Sequence, residues 1–324
     1  MSGALLARAT AAKDAPPRSL PRRIAAGFLA CAAPDLDFVA GWFGPVVYLE
    51  QHRGATHSLL LLPLWALALS WLLAKILREP GGWRAFYGIT AMTIGAHIAG
   101  DLITSYGTMI LAPFSDWRAG IGTTFIIDLW FSGIIVAGLL VSLIFRKTRI
   151  PATASLVVLV GYVGFQYVQK QHALDFAARH AAPGARITAH PRPVSPYNWT
   201  VFVSDEGAHR FAHINLNRTE VKPYRPGDGF IARIDSPYLP PDKAIWVVRR
   251  RYGEVDERFI EDAWRSEPLA FYRWFADLPA FDGKEGSCAY FVDLRFDTPG
   301  RGGTPFRYGA CRDAAGGPWR LAIF

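Results

Sequence analysis

The first half of this 324-residue chain is apolar, yet it contains a set of aspartate and histidine side chains. Such side chains are costly inside a lipid bilayer, so in a membrane segment they are interpreted first as functional. Carboxylates and imidazoles are also ligands that suit Zn²⁺ or Mn²⁺. We therefore predict a divalent-metal site, with zinc as the first choice of metal and manganese as the second. The predicted ligands are Asp35, Asp37, His52, His57, His97, Asp101 and Asp128.

The spacing of these residues favours a shared site. His97 and Asp101 are four residues apart, so on a helix they project from the same face. Each feature also has a simpler interpretation. The Asp-x-Asp pair after Pro34 could cap or end a helix, and the two histidines before Ser58 could lie in a solvated turn. The His97–Asp101 pair could hold two helices together, and Asp128 could cap a helix.

Phosphoester hydrolysis is a reaction that such a set could support. Two metal ions could activate a water molecule and hold the oxygens of a phosphate ester. The predicted catalytic residues are Asp35, Asp101 and Arg53. One carboxylate could be a general base rather than a ligand, and Arg53 could bind an anionic group. Residues expected to orient the ligands are Thr56, Ser58 and Thr104.

Five apolar segments are predicted to carry these residues through a membrane. The composition is 51% apolar and only 19% charged, and the charges avoid several long stretches. A run of about 20 apolar residues is what a helix needs to cross the hydrocarbon layer. The predicted spans are residues 24–49, 54–74, 85–111, 122–145 and 150–169. The fold class is therefore a polytopic α-helical membrane domain, residues 24–170, followed by a soluble α+β domain, residues 171–324.

The basic residues predict the orientation of these spans. Three basic clusters fall on one side, which should be the cytoplasm by the positive-inside rule. They are Arg8, Lys13, Arg18, Arg22 and Arg23; Lys75, Arg78 and Arg84; and Arg146, Lys147 and Arg149. Residues 1–23 are then cytoplasmic, and the domain at 171–324 is extracytoplasmic. The same topology places the aspartates and histidines toward the outer side of the membrane.

The second half reads as short strands with one amphipathic helix. β-branched and aromatic runs between turn residues predict strands at 199–203, 210–216, 244–248, 289–296 and 319–324. The apolar spacing predicts a helix over 256–278, kinked or divided at Pro268. Cys288 and Cys311 either form a disulfide, if the compartment is oxidising, or remain two buried thiols.

The motifs of the membrane half resemble those of a known family. Their order is Pro34-Asp35-Leu36-Asp37, then His52-Arg53-Gly54-x-Thr56-His57-Ser58, then His97-x3-Asp101-x2-Thr104-x2-Gly107 with Pro113-Phe114-Ser115. This set is similar to the YdjM-type inner-membrane metal-dependent hydrolases, and Ile126-Ile127-Asp128 resembles their longer, YfhP-like members. The resemblance implies a bacterial inner-membrane protein with distant similarity to zinc-dependent phospholipase C. It also implies a Thr-His pair just before the point where this sequence begins at Met1.

Three functions are compatible with these residues. The first is a metal-dependent hydrolase that acts on a phosphoester or lipid-like substrate. The second is a non-enzymatic membrane protein, with a structural polar cluster and an outer domain that binds a partner. The third is a transporter, since carboxylates in a membrane also mark ion paths. Membrane lipids are the expected partners. Nucleic acid is not, because the net charge of +8 comes partly from loops that set topology and no recognition motif accompanies it.

Overall fold

The chain divides into two compact units, Met1–Gln166 and Tyr167–Phe324. The computed structural model describes residues 1–12, 19–314 and 316–323. Lys13 and Arg18, which belong to the first predicted basic cluster, lie outside the described residues. The division follows Gln166, close to the predicted boundary after residue 170.

The first unit is helical. Its helices are α1 (Ser2–Ala9), α2 (Ser19–Ala32), α3 (Pro45–Gln51), α4 (Leu62–Ile76), α5 (Arg84–Leu102), α6 (Leu129–Ile144) and the first part of α7 (Ile150–Ala178). Two 3₁₀ helices, Pro34–Phe43 and Ala55–His57, lie between these elements. Both carry residues of the predicted metal site.

Proline and glycine explain why the first predicted span is not one straight helix. Pro34 has no N–H to donate to the preceding turn, so α2 ends and the chain continues as a 3₁₀ helix. Gly44 then takes a φ of 118°, a conformation that favours glycine. Pro45 starts α3 at a helix position where proline is well tolerated. Asp35 and Asp37 therefore lie on a short irregular segment.

The prediction of five spans is not supported. In the described part of the chain, two helical segments are long and apolar enough to cross a membrane, Ser19–Phe43 and α7. A third exists if Pro45–His57 and Leu62–Ile76, which are bent by 82°, form one broken span. Helix α6 has 16 residues, and at about 1.5 Å per residue it is about 24 Å long. Its apolar run is thus shorter than the hydrocarbon layer of about 30 Å.

The predicted third span is also shorter than expected. Helix α5 has 19 residues and ends at Leu102. The chain then leaves the helix and forms a bridge between Thr108 and Ala119. The polar side chains of His97 and Asp101 further reduce the apolar character of α5. Hydropathy alone could not place these ends, because it measures partition into lipid and not helix continuity.

Small residues pack the helices of the first unit closely. A Cβ atom added to Gly3 of α1 would lie 2.1 Å from the carbonyl oxygen of Gly27 in α2. One added to Gly138 of α6 would lie 2.2 Å from Oγ of Ser155 in α7. Close approach at small residues is the usual way in which helices associate in lipid. These contacts hold α1 on α2 and α6 on α7.

The second unit contains two antiparallel sheets, each with its strands in chain order. The first sheet is β1 (Arg186–Pro191), β2 (Asn198–Ser204), β3 (Ala208–Asn215) and β4 (Val247–Arg250). The second sheet is β5 (Pro279–Glu285), β6 (Cys288–Asp293), β7 (Tyr308–Cys311) and β8 (Arg320–Ile323). Three short helices accompany them, α8 (Phe230–Asp235), α9 (Glu257–Arg265) and α10 (Ala270–Phe275). The predicted sheet-containing domain is confirmed.

The core of this unit has two parts. Ala173 and Phe176 of α7 pack on Trp199 and Val201 of the first sheet. A second cluster joins residues of both sheets: Phe202, Phe211, Leu278, Ala280, Val292 and Leu294. The side chains of Trp199 and Val201 are fully buried. Burial of large side chains such as these stabilises a fold by roughly 1.5–3 kcal/mol each.

Local signals predicted much of the second unit. Each of the five predicted strands overlaps an observed one, although 244–248 overlaps β4 only at its end. The predicted helix is divided at Pro268 into α9, a 3₁₀ turn and α10. Strands β1, β5 and β7 were missed. Of the two alternatives for the cysteines, the structure has the disulfide, because Cys288 and Cys311 lie directly opposite each other in β6 and β7.

Candidate metal centre

Four of the predicted residues converge in the first unit: Asp35, His57, His97 and Asp101. One potential ligand atom from each lies within 4.8 Å of the others. Asp101 Oδ2 is 3.0 Å from His57 Nε2 and 3.4 Å from His97 Nε2. Asp35 Oδ1 is 3.6 Å from His57 Nε2 and 3.4 Å from His97 Nε2. We call these four side chains the Asp/His group.

Three elements supply the Asp/His group. Asp35 lies at the start of the 3₁₀ helix Pro34–Phe43, and His57 ends the 3₁₀ helix Ala55–His57. His97 and Asp101 lie one turn apart on α5, so the four-residue spacing gives them a common face. The two short 3₁₀ helices therefore bring one residue each to a pair fixed by α5.

Hydrogen bonds fix the ring orientation of His57. Thr56 Oγ1 donates its hydrogen to Asp37 Oδ2 over 3.0 Å. The same hydroxyl lies 2.9 Å from His57 Nδ1, so it can only accept the Nδ1–H hydrogen. In the neutral ring, Nε2 then carries the lone pair, and this atom faces the Asp/His group. A ligand histidine usually has such a partner on its other nitrogen.

Asp37 and His52 lie beside the Asp/His group, and no atom of theirs belongs to it. Asp37 Oδ1 is 2.7 Å from His52 Nδ1, and Asp37 Oδ2 accepts from the backbone N–H of Arg53 over 3.0 Å. The His52 ring stacks on Tyr48 at a centroid distance of 4.7 Å. Both had been predicted as ligands. The structure instead places Asp37 where it orients His57, because both of its oxygens are engaged by hydrogen-bond donors.

Arg53 is committed to a carboxylate of the group itself. Its side chain is buried, and Nη2 lies 2.9 Å from Asp101 Oδ1. Nη1 donates to Thr104 Oγ1 over 2.8 Å, and Thr104 Oγ1 donates to the carbonyl oxygen of Asp101. Thr104 thus orients Asp101, as predicted. The predicted role of Arg53 in binding a substrate anion receives no geometric support, because its guanidinium is already paired.

One oxygen of Asp101 is left without a hydrogen bond. Asp101 Oδ2 is buried and has no hydrogen-bond partner in the described part of the chain. A buried oxygen in that state costs about 1–3 kcal/mol, and more when it is charged. Oδ2 lies 3.0 Å from His57 Nε2 and 3.4 Å from His97 Nε2, so a protonated ring would satisfy it, and a cation would do so where both rings are neutral.

Asp128 is not part of the Asp/His group. It is the N-cap of α6, where its Oδ1 accepts from the backbone N–H of Phe131 over 2.8 Å. Its Oδ2 accepts from the hydroxyl of Tyr162 in α7 over 2.8 Å. The prediction that Asp128 is a ligand is corrected here, and the capping alternative describes it. Ser58, predicted to orient ligands, instead donates to the carbonyl oxygen of Ala112.

Two neighbouring residues were missed by the sequence reasoning. Cys31, which is buried, interacts with His97, and its Sγ atom lies 3.4 Å from Ser2 Oγ. The ring of Tyr106 lies between the guanidinium groups of Arg53 and Arg118, at 4.9 and 4.7 Å from its centroid. Cys31 precedes Asp35 by four residues, but neither residue has a spacing that distinguishes it from an ordinary core residue.

Comparison with known proteins gives the family of the chain. The family model of the YdjM inner membrane protein matches residues 1–173, which is more than half of the chain. The chain belongs to this family. The uncharacterized protein YfhP of Bacillus subtilis (strain 168) is 28% identical over 113 residues, which are 31% of this chain and 34% of YfhP. The alignment thus spans about a third of that relative. No solved structure matches the chain.

In this YdjM-family protein the Asp/His group opens on one side. The side chain of Asp35 is 57% exposed, whereas those of His97 and Asp101 are 12% exposed and that of His57 is fully buried. Leu36 and Phe38, on the same 3₁₀ helix as Asp35, are also exposed. Asp35 is therefore the most exposed member of the group, and it lies on a 3₁₀ helix that also exposes apolar side chains.

The donor set of the YdjM-family chain fits a divalent transition-metal ion. Two imidazole nitrogens and two carboxylates are ligands that Zn²⁺ and Mn²⁺ accept. His57 Nε2 lies 3.0 Å from Asp101 Oδ2 and 3.1 Å from His97 Nε2, so the potential ligand atoms are close neighbours. The four residues can hold a metal ion; they do not identify which one.

Proposed function

We propose that this membrane protein is a metal-dependent hydrolase of the bacterial inner membrane, acting on a phosphoester or lipid-like substrate. Asp35, His57, His97 and Asp101 are its proposed metal ligands. The observation that carries the proposal is the convergence of these four side chains, whose potential ligand atoms all lie within 4.8 Å of one another. Two carboxylates and two imidazoles at that separation are a donor set that a divalent metal ion accepts.

The residues around the group have separate tasks in this proposal. A divalent ion, when bound, supplies Lewis acidity that polarises a phosphoryl oxygen and makes water a better nucleophile. Arg53 holds Asp101 Oδ1 and so keeps Oδ2 turned toward the histidines. Asp37 and Thr56 hold the His57 ring. Asp35 is the exposed carboxylate, so it is the one we assign the alternative role of general base.

Lipid-like substrates are favoured by the surface around Asp35. Leu36, Phe38 and Trp42 of the same 3₁₀ helix are 59%, 53% and 79% exposed. This helix belongs to the candidate span Ser19–Phe43, so these side chains suit contact with acyl chains. An amphiphile could place its head at the Asp/His group and its apolar part along the 3₁₀ helix.

We also propose that the second unit lies on the outer side of the membrane. Lys75 lies in the last turn of α4, Arg78 in the loop that follows it and Arg84 at the start of α5, and the loop before α7 contains Arg146, Lys147 and Arg149. Basic loops of this kind remain in the cytoplasm. The disulfide between Cys288 and Cys311 supports the outer location, because such bonds persist in oxidising compartments.

The test of the metal site is elemental analysis of the full chain purified in detergent. The variants are His57→Ala and Asp101→Asn. Asp128→Asn is the matched control, because it removes a carboxylate from the same unit but outside the Asp/His group, and asparagine still caps a helix. We expect stoichiometric zinc or manganese in the wild type and the control, and at least about a tenfold loss in the two variants.

Two results would count against this function. One is a folded wild-type protein that stays free of metal after zinc and manganese are supplied. The other is a metal content that Asp101→Asn leaves unchanged. If metal is bound, hydrolysis is measured with a diacyl phospholipid and with a water-soluble phosphate ester. Activity on either that is lost in both variants supports the hydrolase, and activity on neither would leave a metal-binding membrane protein in its place.

A further inference from the structure

The second unit contains an open cleft of about 670 Å³ whose lining is rich in charge. That volume lies within the range of small-molecule sites, about 300–1,000 Å³. Its charged and hydroxyl-bearing lining residues are Arg186, Ser204, Asp205, Glu206, His209, Arg251, Tyr252, Arg265 and Asp277. The three arginines face three carboxylates, so the ligand class depends on which charges are already paired.

Two of the three carboxylates are engaged by the protein itself. Arg186 Nη2 lies 2.5 Å from Asp277 Oδ1. Asp205 Oδ1 accepts the backbone N–H groups of Gly207 and Ala208 over 3.0 and 2.8 Å. Neither carboxylate needs a cation from outside. Glu206 is exposed, so solvent can screen its charge.

Arg251 is the cation that lacks a partner. Among the described residues its side chain makes no ion pair or hydrogen bond, and its Nε is buried without an acceptor. By contrast, Arg186 is paired with Asp277, and Arg265 Nη2 lies 2.6 Å from Glu261 Oε1. A buried guanidinium donor without an acceptor costs more than a neutral donor in the same place. An anion in the cleft would satisfy it.

The neighbouring histidine, His209, also responds to the positive charge of Arg251. His209 Nε2 donates to the carbonyl oxygen of Pro279 over 2.9 Å, so its Nδ1 accepts the hydroxyl of Ser204 over 2.8 Å. Both contacts are compatible with a neutral ring. Its pKa is lowered, first by burial and then by the charges of Arg251 and Arg186, despite the hydrogen bond to Pro279.

We propose that this cleft binds a ligand with a small oxyanion group, a phosphate or a carboxylate, through the guanidinium of Arg251. A planar guanidinium matches both groups with two parallel hydrogen bonds. The acidic residues of the lining disfavour polyanions, so the ligand carries one or two negative charges. Nothing in this proposal depends on the Asp/His group of the first unit.

The test is a titration of the full chain in detergent with three probes: inorganic phosphate, succinate and dihexanoyl phosphatidic acid. Phosphate and succinate separate the two oxyanion classes, and phosphatidic acid asks whether a lipid headgroup is the source. Binding is followed by calorimetry in the wild type and in Arg251→Gln. We expect saturable binding of at least one probe and at least about a tenfold loss of affinity in Arg251→Gln.

Three controls make the result specific. Arg250→Gln removes a neighbouring guanidinium that is paired with Glu254 and does not line the cleft, so it should bind as the wild type does. Arg251→Lys should recover part of the affinity, because a lysine keeps the charge but not the fork geometry. His57→Ala should leave binding unchanged, which separates the cleft from the metal site.

The proposal is overturned if no probe binds the folded wild type at millimolar concentration. It is equally overturned if Arg251→Gln, shown to be folded by its thermal transition, binds as tightly as the wild type. Binding that disappears only in His57→Ala would assign the anion to the Asp/His group instead.

Discussion

At the scale of single residues, Asp37 is the side chain that orders the candidate metal centre without belonging to it. Asparagine in its place keeps the size but replaces one carboxylate oxygen with an NH₂ donor. In one orientation the NH₂ group would face His52 Nδ1. In the other it would face the two groups that donate to Asp37 Oδ2, which are the backbone N–H of Arg53 and the hydroxyl of Thr56. We expect Asp37→Asn to weaken metal binding by about 10–100-fold, as loss of an orienting partner does. Competition against a chromogenic chelator measures this.

Asp116→Asn is the matched control for that variant. Asp116 is an exposed aspartate of the same unit and lies outside the Asp/His group. Its affinity should equal that of the wild type. Unchanged affinity in Asp37→Asn would mean that the His57 ring keeps its orientation without this carboxylate, and the role given to Asp37 would be withdrawn.

Residue types and spacing indicated which residues lie near the candidate site, but they did not indicate which of these residues face its centre and which ones orient their neighbours. The four-residue interval of His97 and Asp101 was sufficient to place them on one face. No interval in the sequence separates Asp35, which faces the histidines, from Asp37, two residues later, which faces His52. That difference arises from the 3₁₀ turn of Pro34–Phe43 and from which donors each oxygen meets. Asp128 was misassigned because a ligand and a helix cap have the same sequence signal.

At the scale of elements, the contact between α6 and α7 depends on the absence of one side chain. A Cβ at Gly138 would lie 2.2 Å from Oγ and 2.5 Å from Cβ of Ser155. The Ser155 hydroxyl is held by the carbonyl oxygen of Ile134 over 2.9 Å, so the helices must move apart. We expect Gly138→Ala to destabilise the protein by about 1–3 kcal/mol. Thermal unfolding in one detergent measures the effect.

Gly133→Ala on the same helix is the control for that substitution. Nothing lies within 4 Å of a Cβ added at Gly133. Alanine is the better helix former by about 1 kcal/mol, so this variant should melt at the same temperature as the wild type or higher. Equal melting temperatures for the two variants would show that α6 and α7 can move apart at Gly138 without loss of stability.

Helices and strands could be predicted from the sequence where the residues that begin or end them act only on their own turn. Pro268 divides the helix of residues 256–278 because a proline acts on its own turn. The apolar stretch at 24–49 has a similar local signal at Pro34, but its apolar content led to the prediction of one continuous span. Its content is apolar enough for a span, yet Pro34 and Gly44 divide it into an α-helix, a 3₁₀ helix and α3. Hydropathy reports where a segment prefers to be, and the path of the backbone depends on these two residues.

At the scale of the whole molecule, the proposed topology is tested with a reporter that folds only outside the cytoplasm. Alkaline phosphatase fused to the C-terminus should be active in cells, because the second unit is proposed to be outside. The same reporter fused after Lys147, in the basic loop between α6 and α7, should be inactive, because that loop is proposed to be cytoplasmic. Enzyme activity normalised to the amount of fusion protein is the measurement.

A cytoplasmic reporter such as green fluorescent protein provides the reciprocal control at the same two positions. It should fluoresce after Lys147 and remain dark at the C-terminus. An active phosphatase at Lys147 with an inactive one at the C-terminus would reverse the orientation. The disulfide between Cys288 and Cys311 would then lie in a reducing compartment, where such bonds are rare.

The exposure of Asp35 has a consequence for the kinetics of the site. It is the one exposed side chain of the Asp/His group, so an ion that enters or leaves has to pass it. If the group binds a metal ion as proposed, we expect the 3₁₀ helix Pro34–Phe43 to control the rate of exchange, and Asp37 and Arg53 to control the affinity. A bulky charged chelator, stopped by the apolar side chains of that helix, would strip the protein slowly even where equilibrium favours release, and a small lipid-soluble chelator would do so quickly.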